Sequence, residues 1–440
     1  MTDSTVHDPG PPAPPAPRGE IPGADWRLGL LVASTVALGA LAGMGWLIII
    51  GALVLMIFLH ELGHFLTAKW SGMKVTEFFL FFGPKIWSFR RGETEYGIKL
   101  IPLGAYVRII GMSNLDADVL PEDEHRTFRQ QSYPKRLLVV SAGSLMHMLQ
   151  AFVLLVIVFS GLGVPGNTLL AERLGGPPLR AADWTIGDVS AGSAAAVAGI
   201  RAGDDLLSIE GRPIRTFDDV GAIVGPRAGD AVDLVVQRGT ARLDLHATLG
   251  RNPNDPARGF LGIGAAFPDM PPVRVNPARG ALESGRLTGE LMSETVKGLG
   301  AFFSGGLGSF ASDVVHGGAT VSSTTAGTGT SSSRASGESR LVSIYGVARI
   351  GNEATKEGMV SLLLLMANVN ISIGLLNMIP LLPLDGGHVA IATYERLRST
   401  RRRRYMADVS RLLPITYAVV IFMLMLGVSS IYLDIVAPVG

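Results

Sequence analysis

The chain contains no cysteine. That absence excludes disulfides, thiolate zinc sites, iron–sulfur clusters and a cysteine nucleophile, so any metal must be held by His, Asp or Glu. Charge is scarce too. Only 17% of the 440 residues are Asp, Glu, Lys or Arg, against 48% hydrophobic, and the mean hydropathy is +0.35. That balance is too apolar for an ordinary soluble protein and fits several membrane spans plus a water-facing part. The formal net charge is +1, so overall charge gives no sign of nucleic-acid binding. No secretory signal peptide is evident. The opening "MTDSTVHDPGPPAPPAPRGEIPGADW" lacks an apolar core, and residues 1–27 read as a disordered, Pro-rich tail.

Four apolar stretches are long enough to span a bilayer, near residues 46–66, 137–160, 361–382 and 412–433. A shorter one, "LGLLVASTVALGALAG" at 28–43, is either an extra span or an extension of the first helix, with "GMG" at 43–45 as the break. Positive charge orients the spans. Lys69, Lys74, Lys85, Arg90, Arg91, Lys99 and Arg108 lie between the first two, and "ERLRSTRRRRYMADVSR" between the last two. Loops of that kind stay cytoplasmic, which leaves the long middle region, about 165–355, outside.

The expected organisation follows from these signals. An N-terminal membrane region covers 28–70, and a cytoplasmic, membrane-associated β region and loop 71–136. Within it, "MKVTEFFLFFGPKIWSFRRGETEYGIKLIPLGAYVRII" alternates apolar and polar residues between Gly breaks. The second core span is 137–164. Residues 183–268 read as a compact α+β domain, with strands at "TIGDV", "DDLLSIEG", "AVDLVVQRG" and "ARLDLHATL" and a helix at "TFDDVGAIVG". A linker is expected over 269–360, with a low-complexity Ser/Thr/Gly segment at 317–340. The third core span is 361–390, a basic cytoplasmic loop 391–411 and the fourth core span 412–434.

The first span ends in "HELGHFLTAKW". On a helix, residues four apart sit roughly 40° apart around the axis, so His60 and His64 point the same way and can grip one zinc through neutral imidazoles. Glu61 lies where its carboxylate can activate water at such a metal and later protonate a leaving amine. An HExxH on a solvent-facing helix can arise by chance. In a membrane span, however, buried His and Glu cost several kcal/mol unless paired or ligated.

Two histidines do not complete a catalytic zinc site; a third protein ligand is expected. The other histidines do not reduce to one candidate by spacing. A better candidate ends the third span, "NVNISIGLLNMIPLLPLDGGHVA". Pro380 and Pro383 disrupt a regular helix, and Gly386 and Gly387 allow an unusual backbone after Asp385. Asp385 is therefore the expected third ligand, with His388 as a competitor.

HELGH on a first core span and "NMIPLLPLDGGH" on a late one resemble the site-2 protease family of intramembrane zinc metalloproteases. "FGPKIWSFRRGETEYGIKLIPLGAYVRIIGM" is similar to that family's membrane-associated β region. "GSAAAVAGIRAGDDLLSIEGRPI", with "GFLGI" at 259–263, resembles a PDZ domain, found singly between the second and third core spans in bacterial members. The resemblance covers nearly all of 46–433 outside the Ser/Thr-rich stretch. It implies a multi-pass α-helical membrane protein of four core spans, with or without one extra N-terminal span, carrying a membrane-associated β region and an extracytoplasmic α+β PDZ-like domain. It implies Zn2+ held by His60, His64 and Asp385, Glu61 as catalytic base, and Asn377 on the substrate strand; a helix–helix hydrogen bond is the alternative for Asn377. It implies single-span membrane substrates of the anti-sigma factor type, trimmed first by a site-1 protease, in the inner (plasma) membrane, with the active site near the cytoplasmic side and no nucleic acid involved. Clearance of remnant signal peptides, or a non-catalytic PDZ receptor or scaffold, are the alternatives. The PDZ-like domain would admit a trimmed stump or serve only as a spacer. One departure stands out. The second-span stretch "AGSLMHML" has Ser144 and His147 where family members often carry Pro and Asn.

Overall fold

Runs of Leu, Ile, Val and Met with little charge produce four helices long and apolar enough to cross a membrane: Met44–Trp70, Tyr133–Leu162, Met359–Asn377 and Ser410–Val436. The computed structural model describes residues 24–112, 119–177, 184–252, 255–315, 342–400 and 405–436. The low-complexity segment 317–340, the Pro-rich tail up to residue 23 and the Arg run at 401–404 lie outside the described residues.

Ahead of the first span, Ala24–Ala42 forms a separate helix rather than an extension. The break falls at Gly43, whose φ of +96° lies in the left-handed region that Gly tolerates. Arg27 Nη1 donates to the Lys85 carbonyl at 2.9 Å, so this helix begins beside the β region.

The β region is a bent hairpin, Val75–Arg91 and Thr94–Ile109. Its first half has neighbours on two sides: Phe78 is registered with both Val107 and Tyr96, and Phe79 with both Tyr106 and Gly97. Segments 85–91 and 105–109 are thus the outer edges. Aromatic contacts fix the sheet to the first span, with Phe78 5.5 Å from Phe58 and 5.1 Å from Phe65, centroid to centroid. At the end of that span, Arg126 grips Glu93 with two hydrogen bonds of 2.6 and 2.9 Å, and Lys69 adds a third at 2.7 Å. The Arg126 guanidinium, with Lys69 behind it, holds the Glu93 carboxyl down at about 2.

The second span packs against the first and third through small residues, which let helix axes approach closely in an apolar medium. A Cβ at Gly63 would sit 2.7 Å from the Ala142 carbonyl oxygen, and one at Gly374 would be 3.0 Å from the His147 Cβ. Residues 184–266 form a small antiparallel α+β unit around Ile186, Ile209, Leu234 and Leu249. Strands Arg212–Pro213, Asp205–Ile209, Ala231–Arg238 and Ala241–Thr248 make one sheet in that order, and Thr185–Val189 pairs with Ile263–Ala266. The helix Phe217–Val224 begins with a capping box between Thr216 and Asp219.

Two expected loops are helical. Within the region read as a linker, 269–360, Pro277–Ala301 is a 25-residue helix, followed by Leu307–Val315 and Ile344–Glu357. Its five glycines and its charges resemble linker composition, but Asn276 caps it, Pro277 opens it, and Leu287, Leu291 and Met292 pack on the second and third spans. The expected basic loop 391–411 is a helix, Asp385–Arg398, in its first part. Ala392 and Glu395 are buried, and Arg136 on the second span meets Glu395 at 2.6 Å. Those contacts hold in place a segment whose Arg-rich composition alone suggested a loop.

Candidate metal centre

The HELGH helix needs no device of its own to place its two histidines; helical spacing does that. The third group requires a longer construction. The third span ends at Asn377, as the prolines at 380 and 383 dictate, and a new helix starts at Asp385. Asp385 therefore lies at a helix start beyond the span, rather than within a continuous span over 361–390. Gly386 and Gly387 do not take left-handed backbone angles. Their role is close approach: a Cβ on Gly386 would strike the Met378 and Ile379 carbonyls, and one on Gly387 would lie 2.6 Å from the Leu382 nitrogen. The chain between the two helices folds directly over the start of the second, which turns Asp385 back toward the first span.

The result is a compact cluster. His60 Nε2 and His64 Nε2 are 3.3 Å apart, and Asp385 Oδ2 is 3.5 Å from the first and 3.3 Å from the second. Metal–ligand bonds of 2.0–2.1 Å at the tetrahedral angle require ligand atoms about 3.3–3.4 Å apart. The three atoms thus occupy corners that suit one zinc ion. Asp385 Oδ2 is buried and, among the described residues, has no hydrogen-bond partner of normal geometry, a costly arrangement unless a cation satisfies it. Both histidines are buried. His388, one turn beyond Asp385, is not part of the group.

The surroundings orient these ligands. His64 Nδ1 donates to the Val139 carbonyl of the second span at 2.7 Å, which leaves its Nε2 lone pair for the metal. Gly143, also on the second span, lies so close that a Cβ there would collide with both imidazoles. Glu61 is half-buried beside the cluster, and the Val107 backbone N–H, on the outer edge of the β region, lies close to its carboxylate. Gly143 lies in the second-span stretch "AGSLMHML", but its contact with the imidazoles, like the role of Val107, could not be read from sequence. Each acts through its backbone or its lack of a side chain, and no local pattern marks that.

Asn377 lies half-buried at the end of the third span, and no hydrogen bond of its amide occurs among the described residues. The helix–helix hydrogen bond considered for it belongs to Asn370, two turns earlier. Asn370 Oδ1 meets His147 Nδ1 at 2.9 Å. Ser144 is buried, and its hydroxyl has no hydrogen-bond partner among the described residues.

Comparison with known proteins agrees with this chemistry. The family model described as peptidase family M50 matches residues 48–425. The zinc metalloprotease Rip1 of Mycobacterium tuberculosis (strain ATCC 25618 / H37Rv) is 32% identical over 423 residues, covering 88% of this chain and 96% of that protein. Rip1 of Mycolicibacterium smegmatis is 30% identical over 427 residues, with 90% and 98% covered. A putative zinc metalloprotease of Rhizobium meliloti (strain 1021) is 30% identical over 369 residues, with 79% and 85% covered.

Proposed function

The chain belongs to peptidase family M50 and is a multi-pass membrane zinc metalloprotease, and from that premise we propose that it cuts peptide bonds inside the membrane-spanning segment of its substrates, with His60, His64 and Asp385 as zinc ligands and Glu61 as the base. One observation carries this reading: three ligand atoms 3.3–3.5 Å apart, drawn from two helices, with a carboxylate beside them at the end of a membrane-compatible helix. Zinc, when bound, supplies Lewis-acid polarisation of the scissile carbonyl.

The remaining steps belong to the chain's own residues. Glu61 removes a proton from the attacking water and returns it to the leaving amine nitrogen. The Val107 N–H faces that carboxylate from the β region. A transmembrane helix has its backbone hydrogen-bonded internally, so the substrate must unwind before it can be cut. Segment 105–109 has a partner on one side only, and an extended substrate strand can add to its other side beside Glu61. Asn377 is placed at the end of the same broken span to bind that strand.

Lys69, Lys74 and the other basic residues of the β region support an orientation with this end of the spans at the cytoplasmic face of the inner (plasma) membrane and residues 184–266 outside. That outer unit acts as a PDZ-like domain. The Leu261 and Gly262 N–H groups of its "GFLGI" loop donate to no backbone carbonyl among the described residues, which suits a peptide carboxylate. It admits stumps left by a site-1 protease, and single-span regulators of the anti-sigma factor type are the substrate class. The test is cleavage of a single-span substrate in proteoliposomes. Glu61→Gln abolishes cutting yet keeps zinc; parental cutting by Glu61→Gln overturns the assignment.

A further inference from the structure

The two histidines of the metal cluster are held differently. His64 has its ring fixed by the 2.7 Å hydrogen bond from Nδ1 to Val139. His60 lacks such a restraint. Its Nδ1 is buried and meets no acceptor at hydrogen-bond geometry among the described residues, with only the Gly143 backbone close to the ring. Metal-bound histidines usually donate their second ring nitrogen to an acceptor that sets the ring orientation. At His60 a different group fills the space. The His147 ring lies 4.8 Å from the His60 ring, centroid to centroid, tilted by 41°, and the His64 ring lies 4.9 Å away on edge.

His147 is itself fixed. It is almost wholly buried, at 1% exposure. Asn370 Nδ2 donates to the Met366 carbonyl at 2.8 Å, which settles the amide's orientation and presents Oδ1 to the second span. An amide oxygen only accepts, so the 2.9 Å contact requires a proton on His147 Nδ1. The ring therefore has one tautomer and one orientation. Gly374, one turn after Asn370, makes the approach possible, since a Cβ there would press on His147 and Met148.

We propose that His147 is a positioning residue for the zinc site: locked by Asn370, its imidazole packs on His60 and sets the rotation of that ligand ring. It thus replaces, by ring contact, the hydrogen bond that His64 obtains from Val139. The proposal rests on the reading of His60, His64 and Asp385 as ligands.

The test measures zinc affinity of the full-length, detergent-purified protein by competition with a chelator, together with the visible spectrum of the cobalt-loaded form. His147→Ala is expected to weaken zinc binding about ten- to a hundred-fold and to alter the cobalt bands. Asn370→Ala, which frees the ring but keeps it, is expected to have a smaller effect of the same kind, and the double variant to be no weaker than His147→Ala alone. Thermal unfolding of each variant identifies those that keep the fold; should His147→Ala fail to fold, Asn370→Ala carries the comparison. Parental affinity and spectrum in a folded His147→Ala or Asn370→Ala protein overturn the proposal, as does additivity of the two effects. His64→Ala separates the two readings: if that variant binds zinc as tightly as the parent, the ligand assignment fails, whatever His147 does.

Discussion

The membrane-spanning helices and the unit at 184–266 expose opposite kinds of residue. In the unit, Ile186, Ile209 and Leu234 are fully buried, while the Asp233–His246 pair stands in solvent. In the spans, Leu145, Leu149, Met425 and Val428 face outward, and the buried side holds His60, His64, Ser144, His147 and Asn370 beside apolar residues such as Leu155, Phe159 and Ile371. The residue types are ordinary in both; the surrounding medium differs. Water drives leucines together, whereas hydrocarbon is as apolar as leucine and leaves them where they are. A polar side chain inside the spans has no solvent to retreat to, so leaving one without a partner or a cation is costly. That makes a buried polar group more informative in the spans than a buried leucine.

The strongest way to break this contrast is to remove the polar groups at its centre. Asp385→Ala and His64→Ala are expected to lose both zinc and cleavage, read as bound metal and as substrate cut in proteoliposomes. Glu61→Gln is expected to keep zinc and lose about 10²–10⁴-fold in turnover. A second test lies at another buried polar contact, Arg136–Glu395, whose side chains are 8% and 6% exposed. Glu395→Ala strands a buried guanidinium and should cost about 3–5 kcal/mol, seen as a lower unfolding temperature in detergent, while an apolar pair at both positions should recover most of the loss.

The contrast sharpens with one leucine from each region. Leu234→Ala in the soluble core should cost about 2–5 kcal/mol. Leu145→Ala, on the outward face of the second span, should cost no more than about 0.5 kcal/mol, because it exchanges contact with lipid for contact with lipid. Similar losses at the two sites, measured by hydrogen exchange of each region, would contradict the account given above. A modest, pH-dependent effect concerns Glu93. Its carboxyl is depressed from 4.5 to about 2, so its contribution to stability is present above pH 4.5 and fades as pH falls toward 2. After allowance for solvent screening this amounts to about 1 kcal/mol. Arg126→Ala should lower the unfolding temperature at pH 7, and the gap should close near pH 2.

Much of the architecture was legible in the chain. The four spans and the strands at "TIGDV" and "AVDLVVQRG" follow from hydropathy and alternation, which are local properties. The helix Pro277–Ala301 was not legible, because its glycines and charges match linker composition and only the spans beside it supply a surface for Leu287 and Leu291. The Asp385–Arg398 helix was obscured in the same way by its arginines, since its buried partner Arg136 lies some 260 residues earlier.

At the site, sequence alone determined the pairing of His60 with His64, because four residues of helix dictate a shared face. It also singled out Asp385 as a carboxylate on broken backbone. Tertiary structure decided that Asp385 Oδ2, and not His388, closes the triangle with the two imidazoles. It also gave Gly386 and Gly387 a purpose in packing rather than in backbone angle, and placed Gly143, Val107 and the His147–Asn370 pair around the ligands. The physical reason is range. Periodicity and hydropathy act over a turn or a span, whereas a ligand triangle with edges of 3.3–3.5 Å depends on helices hundreds of residues apart coming to rest against one another.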